Sequence, residues 1–244
     1  MRPSVPRRNV LQLAAVIAVA GGLKLFYSTA SVDDLRWVLA PTAGLVELLT
    51  GETFTFESHA GYMIGDRSFL IAAVCSGINF LIAAFLMLSL RRLWRGWWQP
   101  VNLALLPASL AVAYLTTIVA NAVRIVGAIY LHRMDPDLVW VNPDQAHRLE
   151  GIFVYFGFLL LLFVFSERFD EDTSPGRPQH FFDLRRLTLP LVIYWVTTLG
   201  IPLANGAYRQ GASFWEHAAF VFLTPLVLML PLAVINGLRR DRSI

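Results

Sequence analysis

Six long apolar runs divide the chain, and short polar segments separate them. Each run approaches or exceeds the roughly 20 residues that a helix needs to cross a hydrocarbon core about 30 Å thick. The pattern therefore predicts an all-α, polytopic membrane protein, a bundle of about six transmembrane helices in a single membrane domain over residues 1–244. The predicted spans are Asn9–Tyr27, Ile78–Leu93, Val101–Leu131, Leu149–Phe165, Leu187–Ala204 and His217–Leu238.

Two shorter stretches have other patterns. Leu35–Leu49 is shorter than the six spans and carries Arg36, Pro41 and Glu47, which favours an interfacial or re-entrant helix on the outer side over a span. In Glu52–Ser58, phenylalanines alternate with polar residues, and a glycine-bounded stretch follows. That alternation predicts a short hairpin on the outer surface.

Arginines in the connecting segments set the orientation, because cytoplasmic loops collect Lys and Arg. One set of segments holds thirteen arginines and the opposite set holds five. The count predicts six spans with both termini in the cytoplasm. The polar stretch Glu167–Arg186 is then a cytoplasmic linker, and we expect it to be flexible. The arginine-rich set is Arg2, Arg7, Arg8, Arg91, Arg92, Arg95, Arg168, Arg177, Arg185, Arg186, Arg239, Arg240 and Arg242; the other is Arg36, Arg67, Arg133, Arg148 and Arg209.

Composition supports a membrane protein and excludes some other classes. Hydrophobic residues make up 56% of the chain and charged residues 15%, below the usual quarter. The net charge is +3, but the basic residues flank apolar runs instead of lining one polar face, so nucleic acid is not an expected partner. The single cysteine, Cys75, excludes an intrachain disulfide. The first apolar run resembles a signal peptide, yet no cleavage site follows, which favours an uncleaved first span.

Topology brings three residues toward the outer membrane face. Cys75 precedes the second span, Arg124 lies near the outer end of the third, and His147 stands where the fourth begins. A thiol, an imidazole and a guanidinium at one depth can serve as nucleophile, base and oxyanion binder. The small residues Ser76 and Gly77 place Cys75 just before a helix, where the helix dipole favours a thiolate.

Each of these residues also has a structural explanation. A lone membrane cysteine often only fills a helix contact, and an arginine at a helix end often reaches for lipid headgroups. Against the second view, Thr117 and Asn121 share a helix face with Arg124. Near His147, Glu150 either orients the imidazole or complements the helix dipole, and the pattern favours the dipole.

The pattern leaves the identity of a catalytic histidine open. His59, His132 and His217 are also predicted outside, whereas His180 is predicted in the cytoplasm.

Three motifs resemble those of the exosortase/archaeosortase family. Ala73 to Asn79 is similar to its cysteine motif, and Asn121-Ala122-Val123-Arg124-Ile125 to its Asn-x-x-Arg motif. His147, with Gly151 and Phe153, is similar to its histidine motif. The motifs occur in the family's order, and the likeness covers roughly residues 71–165. The segment His147–Phe158 most resembles exosortase K.

The resemblance implies a helical membrane cysteine protease and transpeptidase of the bacterial inner membrane, with its site facing the periplasm. Its substrates are secreted proteins with a C-terminal tail of a short motif, one span and a basic cluster. Cys75 attacks the scissile carbonyl, His147 acts as base and then acid, and Arg124 stabilises the oxyanion. Asn121, Ser76 and Gly77 bind substrate or support the site, and no metal or cofactor is implied.

Two other classes remain open. The first is a non-enzymatic protein, such as a transporter or a component of exopolysaccharide assembly. A transporter typically has broken helices or paired charges near the bilayer midplane, and only Pro107 and Lys24 point that way. The second is a serine hydrolase with Ser76 as nucleophile, but the motif Gly-x-Ser-x-Gly is absent.

Overall fold

The computed structural model describes residues 7–95, 105–133, 143–171 and 184–241. Within these ranges the chain is all-α, with six helical stretches long and apolar enough to cross a membrane. They confirm the prediction of a multi-pass helical bundle, since each overlaps one predicted span. The stretches are Asn9–Thr29, Ala73–Trp94, Leu105–Arg133, Gln145–Phe169, Arg186–Ala204 and Phe214–Pro231. The first four residues of the predicted Val101–Leu131 span lie outside the described residues.

Residue contacts divide the chain into two compact units, Met1–Trp140 and Val141–Ile244. The helices of the first unit are α1 (Arg7–Thr29), α2 (Arg36–Thr50), α3 (Ile78–Arg95) and α4 (Leu105–Arg133). Helix α3 packs against both α1 and α4. This packing buries its apolar residues, and Ala84 and Phe85 among them are fully buried. Near the C-terminal end of α3, Arg92 Nη1 donates a hydrogen bond to Ser109 Oγ of α4 at 3.0 Å.

Helix α2 corresponds to the predicted outer helix. Its 15 residues span about 22 Å at about 1.5 Å per residue, which is short of the hydrocarbon thickness. Val38, Leu39, Ala43 and Val46 are buried, and the helix packs against α4. A positive φ at Gly51, +74°, ends it in a left-handed cap.

A three-stranded antiparallel sheet follows α2. Its strands are β1 (Phe54–Glu57), β2 (Gly61–Ile64) and β3 (Leu70–Ile71), paired in chain order. The first two form the predicted hairpin, and β3 is an addition that the sequence did not indicate. Gly61, opposite Glu57 in the register, has φ +134°, and a Cβ there would lie 2.2 Å from the carbonyl oxygen of Ile71. Only glycine lets β2 and β3 approach this closely.

Side chains from the helices hold the sheet in place. Glu47 Oε1 of α2 accepts a 2.6 Å hydrogen bond from the N–H of Phe54. Glu52, just before β1, pairs with Arg133 at the end of α4, also at 2.6 Å. At the opposite end of the hairpin, Ser58 Oγ donates to Asp33 at 3.1 Å. The sheet is therefore fixed before the chain continues through β3 toward Cys75.

The turn before α2 has its own hydrogen bonds. Ser31 donates both its hydroxyl (2.7 Å) and its backbone N–H (2.9 Å) to Asp34 Oδ2. The hydroxyl bond first, and then the backbone bond, holds the pKa of the exposed Asp34 carboxyl below its ordinary value.

The second unit contains the remaining helices, α5 (Pro143–Glu171), α6 (Leu184–Trp195), α7 (Ile201–Ala204) and α8 (Ala212–Asp241). A π-helical turn, Val196–Gly200, joins α6 to α7, and a 3-10 turn, Ala207–Gln210, precedes α8. The rings of Trp195 and Phe222 stack at 4.5 Å, and thereby join α6 to α8. The single membrane domain over residues 1–244 stays a prediction.

The predicted cytoplasmic linker Glu167–Arg186 is partly helical. Helix α5 continues to Glu171 and α6 begins at Leu184, so the linker is shorter than its polar sequence suggested. Residues 172–183 lie outside the described part of the chain. Arg186 Nη1 and Glu167 Oε2 are 2.8 Å apart. This charge-assisted contact connects the last turns of α5 to the first turn of α6.

Candidate functional site

Cys75 ends a short 3-10 turn, Ala73–Cys75, that connects strand β3 to helix α3. The turn is closed by hydrogen bonds from the N–H of Cys75 to Ala72 O (2.9 Å) and from the N–H of Ser76 to Ala73 O (3.1 Å). Cys75 is half-buried, and the preceding Val74 is 79% exposed. The thiol therefore stands in a fixed turn three residues before α3, not in the first turn of the helix.

Gly77 ends that turn and allows α3 to begin. Its φ is +71°, and its carbonyl oxygen accepts the helix bond from the N–H of Leu81 at 3.0 Å. A Cβ on Gly77 would lie 3.1 Å from Thr117 Cγ2 and 3.2 Å from Asn121 Cγ. Glycine is therefore required twice, for the left-handed backbone and for the close approach to α4.

Asn121 connects α4 directly to the cysteine turn. Its side chain is fully buried, and Nδ2 donates a short hydrogen bond to the backbone carbonyl oxygen of Cys75. The two motifs named by residue pattern are thus in contact, although they stand 46 positions apart. Asn121 therefore supports the site by holding the backbone of Cys75.

Ser76 and Cys75 differ in accessibility. Ser76 is fully buried, and its Oγ has no hydrogen-bond partner among the described residues. Cys75 is half-buried. A nucleophile has to reach a substrate, so of these two adjacent side chains the thiol is the better placed.

Arg124 stands one turn after Asn121 on α4 and is half-buried. Residues three apart on a helix are neighbours, with Cβ atoms about 5 to 6 Å apart. Thr117 and Asn121, which were predicted to share this face, are both buried, and so is Ala128 one turn after Arg124. Arg124 therefore lies on the side of α4 that turns toward protein, next to the residue that holds Cys75.

Lys24 is a further polar residue near this turn, and the sequence interpretation gave it no role in the site. Its Nζ donates a 2.9 Å hydrogen bond to Asn79 Oδ1 in the first turn of α3. The ring of Tyr27 lies 5.6 Å from the same nitrogen. A lysine within an apolar run was the available signal, but the partner on α3 could not be read from spacing. The bond ties α1 to the helix that begins just after Cys75.

His147 belongs to the second unit and lies in the first turns of α5. Its side chain is 49% exposed, and Nδ1 is 3.9 Å from Glu150 Oε2. The Glu150 side chain is only 13% exposed. Helix α5 begins at Pro143, and proline is favourable in the first helical position.

The other histidines have different surroundings. His59 is in the β1–β2 turn with φ +67°, 3.5 Å from Asp33, and its side chain is 89% exposed. His132 is exposed at the end of α4. His217 is half-buried on α8, and His180 lies outside the described residues. Within the described ranges, no group of three or more His, Cys, Asp or Glu side chains could hold a metal ion.

No family model matches this chain, and neither a characterised protein nor a solved structure matches it.

Proposed function

We propose that this protein is a membrane cysteine peptidase and transpeptidase that cleaves C-terminal sorting tails of secreted proteins. The proposal places it in a bacterial inner membrane with the reaction on the periplasmic face. The observation that carries it is the hydrogen bond from Asn121 to the Cys75 carbonyl. A lone cysteine that only fills a helix contact needs no buried amide to fix its backbone, whereas a nucleophile benefits from a rigid position.

The first chemical step forms a thioester. The thiol of Cys75 gives its proton to His147, and the sulfur attacks the carbonyl carbon of the scissile peptide bond. The carbonyl oxygen gains negative charge, and the guanidinium of Arg124 stabilises it. When the intermediate collapses, the C–N bond breaks and the leaving amine takes the proton from His147. The tail departs with a free amine, and the rest of the substrate stays on Cys75.

The second step releases the product. Water as acceptor gives hydrolysis and a free carboxylate, while an amine gives a new amide bond and hence transpeptidation. In both cases the acceptor gives a proton to His147, attacks the thioester and returns the thiol to Cys75. Arg124 acts on the oxyanion of this step as well, because the same carbonyl oxygen is charged again.

Two observations support these assignments over their alternatives. The burial of Ser76 disfavours the serine hydrolase, since its hydroxyl is fully buried and the neighbouring cysteine is not. Arg124 is half-buried one turn from Asn121, whereas a residue that only reaches for headgroups does not need a position beside the cysteine turn. His147 receives the role of base from the motif resemblance.

Processing of a tailed substrate tests the proposal. The probe is a secreted protein from the same genome that ends in a short motif, one span and a basic cluster. Co-expression with the wild-type chain should shorten it on a gel, and Cys75→Ala should abolish the shortening. Ser76→Ala distinguishes the two neighbouring candidate nucleophiles, and it should keep most of the activity if Cys75 is the nucleophile. Normal processing by Cys75→Ala would refute the proposed function, and loss in Ser76→Ala alone would favour a serine enzyme.

A further inference from the structure

Glu150 and His147 lie next to each other on the surface of helix α5. They stand one helical turn apart, so their side chains share a face. The Nδ1 atom of His147 and Oε2 of Glu150 are 3.9 Å apart. The carboxylate therefore approaches the Nδ1 side of the ring.

The burial of Glu150 argues against a role in the helix dipole alone. A carboxylate that complements a dipole gains most of its stabilisation at an exposed helix end, where it stays solvated. The Glu150 side chain is 13% exposed, and both carboxylate oxygens are inaccessible to solvent. Burial of a charge is costly unless a polar group compensates it. The partly exposed imidazole beside it is one such group.

We propose that Glu150 is a positioning residue that fixes the tautomer and ring orientation of His147. The inference rests on the proposed function only in its last step, in which His147 accepts a proton. When neutral His147 donates Nδ1–H to the carboxylate, Nε2 becomes the proton acceptor. The same division of labour between a carboxylate and an imidazole occurs in Ser-His-Asp enzymes. The separation of 3.9 Å is longer than a hydrogen bond, and such contacts commonly tighten when substrate binds.

Other charged groups of the second unit have different partners. Glu216 of α8 accepts a 3.1 Å hydrogen bond from Gln145 Nε2 and lies 4.0 Å from Arg148 Nη1. It therefore connects α8 to the first turns of α5 through Gln145 and Arg148. Glu216→Gln is a matched control, because it removes a carboxylate from the same region but leaves the pair of His147 and Glu150 in place.

The tautomer of His147 provides a test that does not depend on enzymatic activity. The full chain with Cys75→Ala, labelled with ¹⁵N-histidine, is reconstituted in lipid nanodiscs and measured at about pH 8.5, where an ordinary imidazole is neutral. A His147→Gln variant assigns the resonance. We expect Nδ1–H in the parent and in Glu216→Gln. Glu150→Gln should change it to Nε2–H, because the amide can donate to Nδ1, and Glu150→Asp should keep Nδ1–H.

Turnover gives the second readout, in the chain with Cys75 intact. Glu150→Gln should lower kcat about 10²- to 10⁴-fold with KM changed less than about twofold, since only the proton acceptor is affected. Glu150→Asp should recover most of that loss, and membrane abundance controls for folding. An Nε2–H tautomer in the parent, or an unchanged tautomer in Glu150→Gln, overturns the positioning role. Neither result bears on Cys75-dependent processing, so the two proposals fail separately.

Discussion

The side-chain amide of Asn121 donates a hydrogen bond to the backbone carbonyl oxygen of Cys75. The bond joins the middle of a long apolar helix to a three-residue turn at the start of another. Asn121 is fully buried, so water does not compete for the hydrogen bond that its amide donates. Gly77 lies against the Asn121 side chain as well. Helix α4 therefore contacts the turn on both sides of Ser76, and the position of the thiol depends on α4.

Replacement of Asn121 should release this turn. Asn121→Leu keeps the approximate volume but removes the donor, and a buried carbonyl without a partner costs roughly 1 to 3 kcal/mol of folding free energy. We expect a lower midpoint of thermal unfolding and a faster reaction of Cys75 with N-ethylmaleimide. Thr116→Val is the control, since the Thr116 hydroxyl donates to the Val112 carbonyl of its own helix at 2.8 Å. Equal behaviour of the two variants would contradict the role assigned to Asn121.

Gly77 should tolerate no side chain. Gly77→Ala combines a left-handed backbone, at φ +71°, with contacts of 3.1 and 3.2 Å to α4, and strain of this kind costs about 1 to 3 kcal/mol. Gly44→Ala in α2 is the matched control, because no atom lies within 4 Å of a Cβ there. Alanine is the better helix former by roughly 0.5 to 1 kcal/mol, so the control should be neutral or slightly stabilised. Thermal unfolding in detergent compares the two, and a Gly77→Ala protein as stable as the control would show that the turn can adjust.

The apolar runs were enough to predict the spans, because a membrane helix has to be apolar along its whole length. The hairpin was also readable, since Phe54 and Phe56 alternate with Thr53 and Thr55. Strand β3 was not readable, because its two residues, Leu70 and Ile71, carry no alternation and merge into the apolar stretch before Cys75. What defines β3 is its pairing with β2, which is a tertiary contact.

The sequence named the residues of the candidate site, but it did not predict which of them are in contact. Asn121 and Gly77 were named from motifs, yet their contact across 44 positions of sequence depends on how α3 and α4 pack. The partner of Lys24, on another helix, was hidden for the same reason. Glu150 was assigned to the helix dipole because sequence spacing gives no burial, and burial is the observation that changes its interpretation.

The choice among the histidines can be tested by substitution. If His147 is the base, His147→Ala should lower processing by about 10² to 10⁴, the usual contribution of general-base catalysis. His59→Ala, His132→Ala and His217→Ala should keep most of the activity and serve as controls for one another. The measurement is the initial rate of substrate shortening at matched membrane abundance. An inactive His217→Ala beside an active His147→Ala would move the base to α8.

The predicted orientation can be tested by labelling introduced cysteines. In a Cys75→Ala background, Ser68→Cys places a thiol in the exposed turn between β2 and β3, and Thr173→Cys places one in the predicted cytoplasmic linker. A membrane-impermeant maleimide should label the first in intact cells, and the second only after the membrane is permeabilised. The reverse pattern would put the sheet and Cys75 on the cytoplasmic side.

Substitution of Arg124 tests whether this position needs only a positive charge or the planar shape of a guanidinium. An arginine that only reaches for headgroups can be replaced by lysine with little loss, because either cation satisfies a phosphate. An oxyanion beside a thioester is better served by the planar, forked donors of a guanidinium than by a point charge on a flexible stem. Loss of one such donor costs roughly 3 to 4 kcal/mol, or about 10²- to 10³-fold in turnover.

Arg124→Lys should therefore insert normally and lose most of its turnover, and Arg124→Ala should lose more. Single-turnover processing of the tailed substrate measures the effect, with membrane abundance and the midpoint of thermal unfolding as controls. Arg133→Lys is the matched variant, since Arg133 pairs with Glu52 at the end of the same helix and has no part in the proposed reaction. Near-normal turnover in Arg124→Lys would return Arg124 to a lipid-facing role, because a guanidinium that stabilises the oxyanion from beside Asn121 cannot be exchanged for an amine without loss.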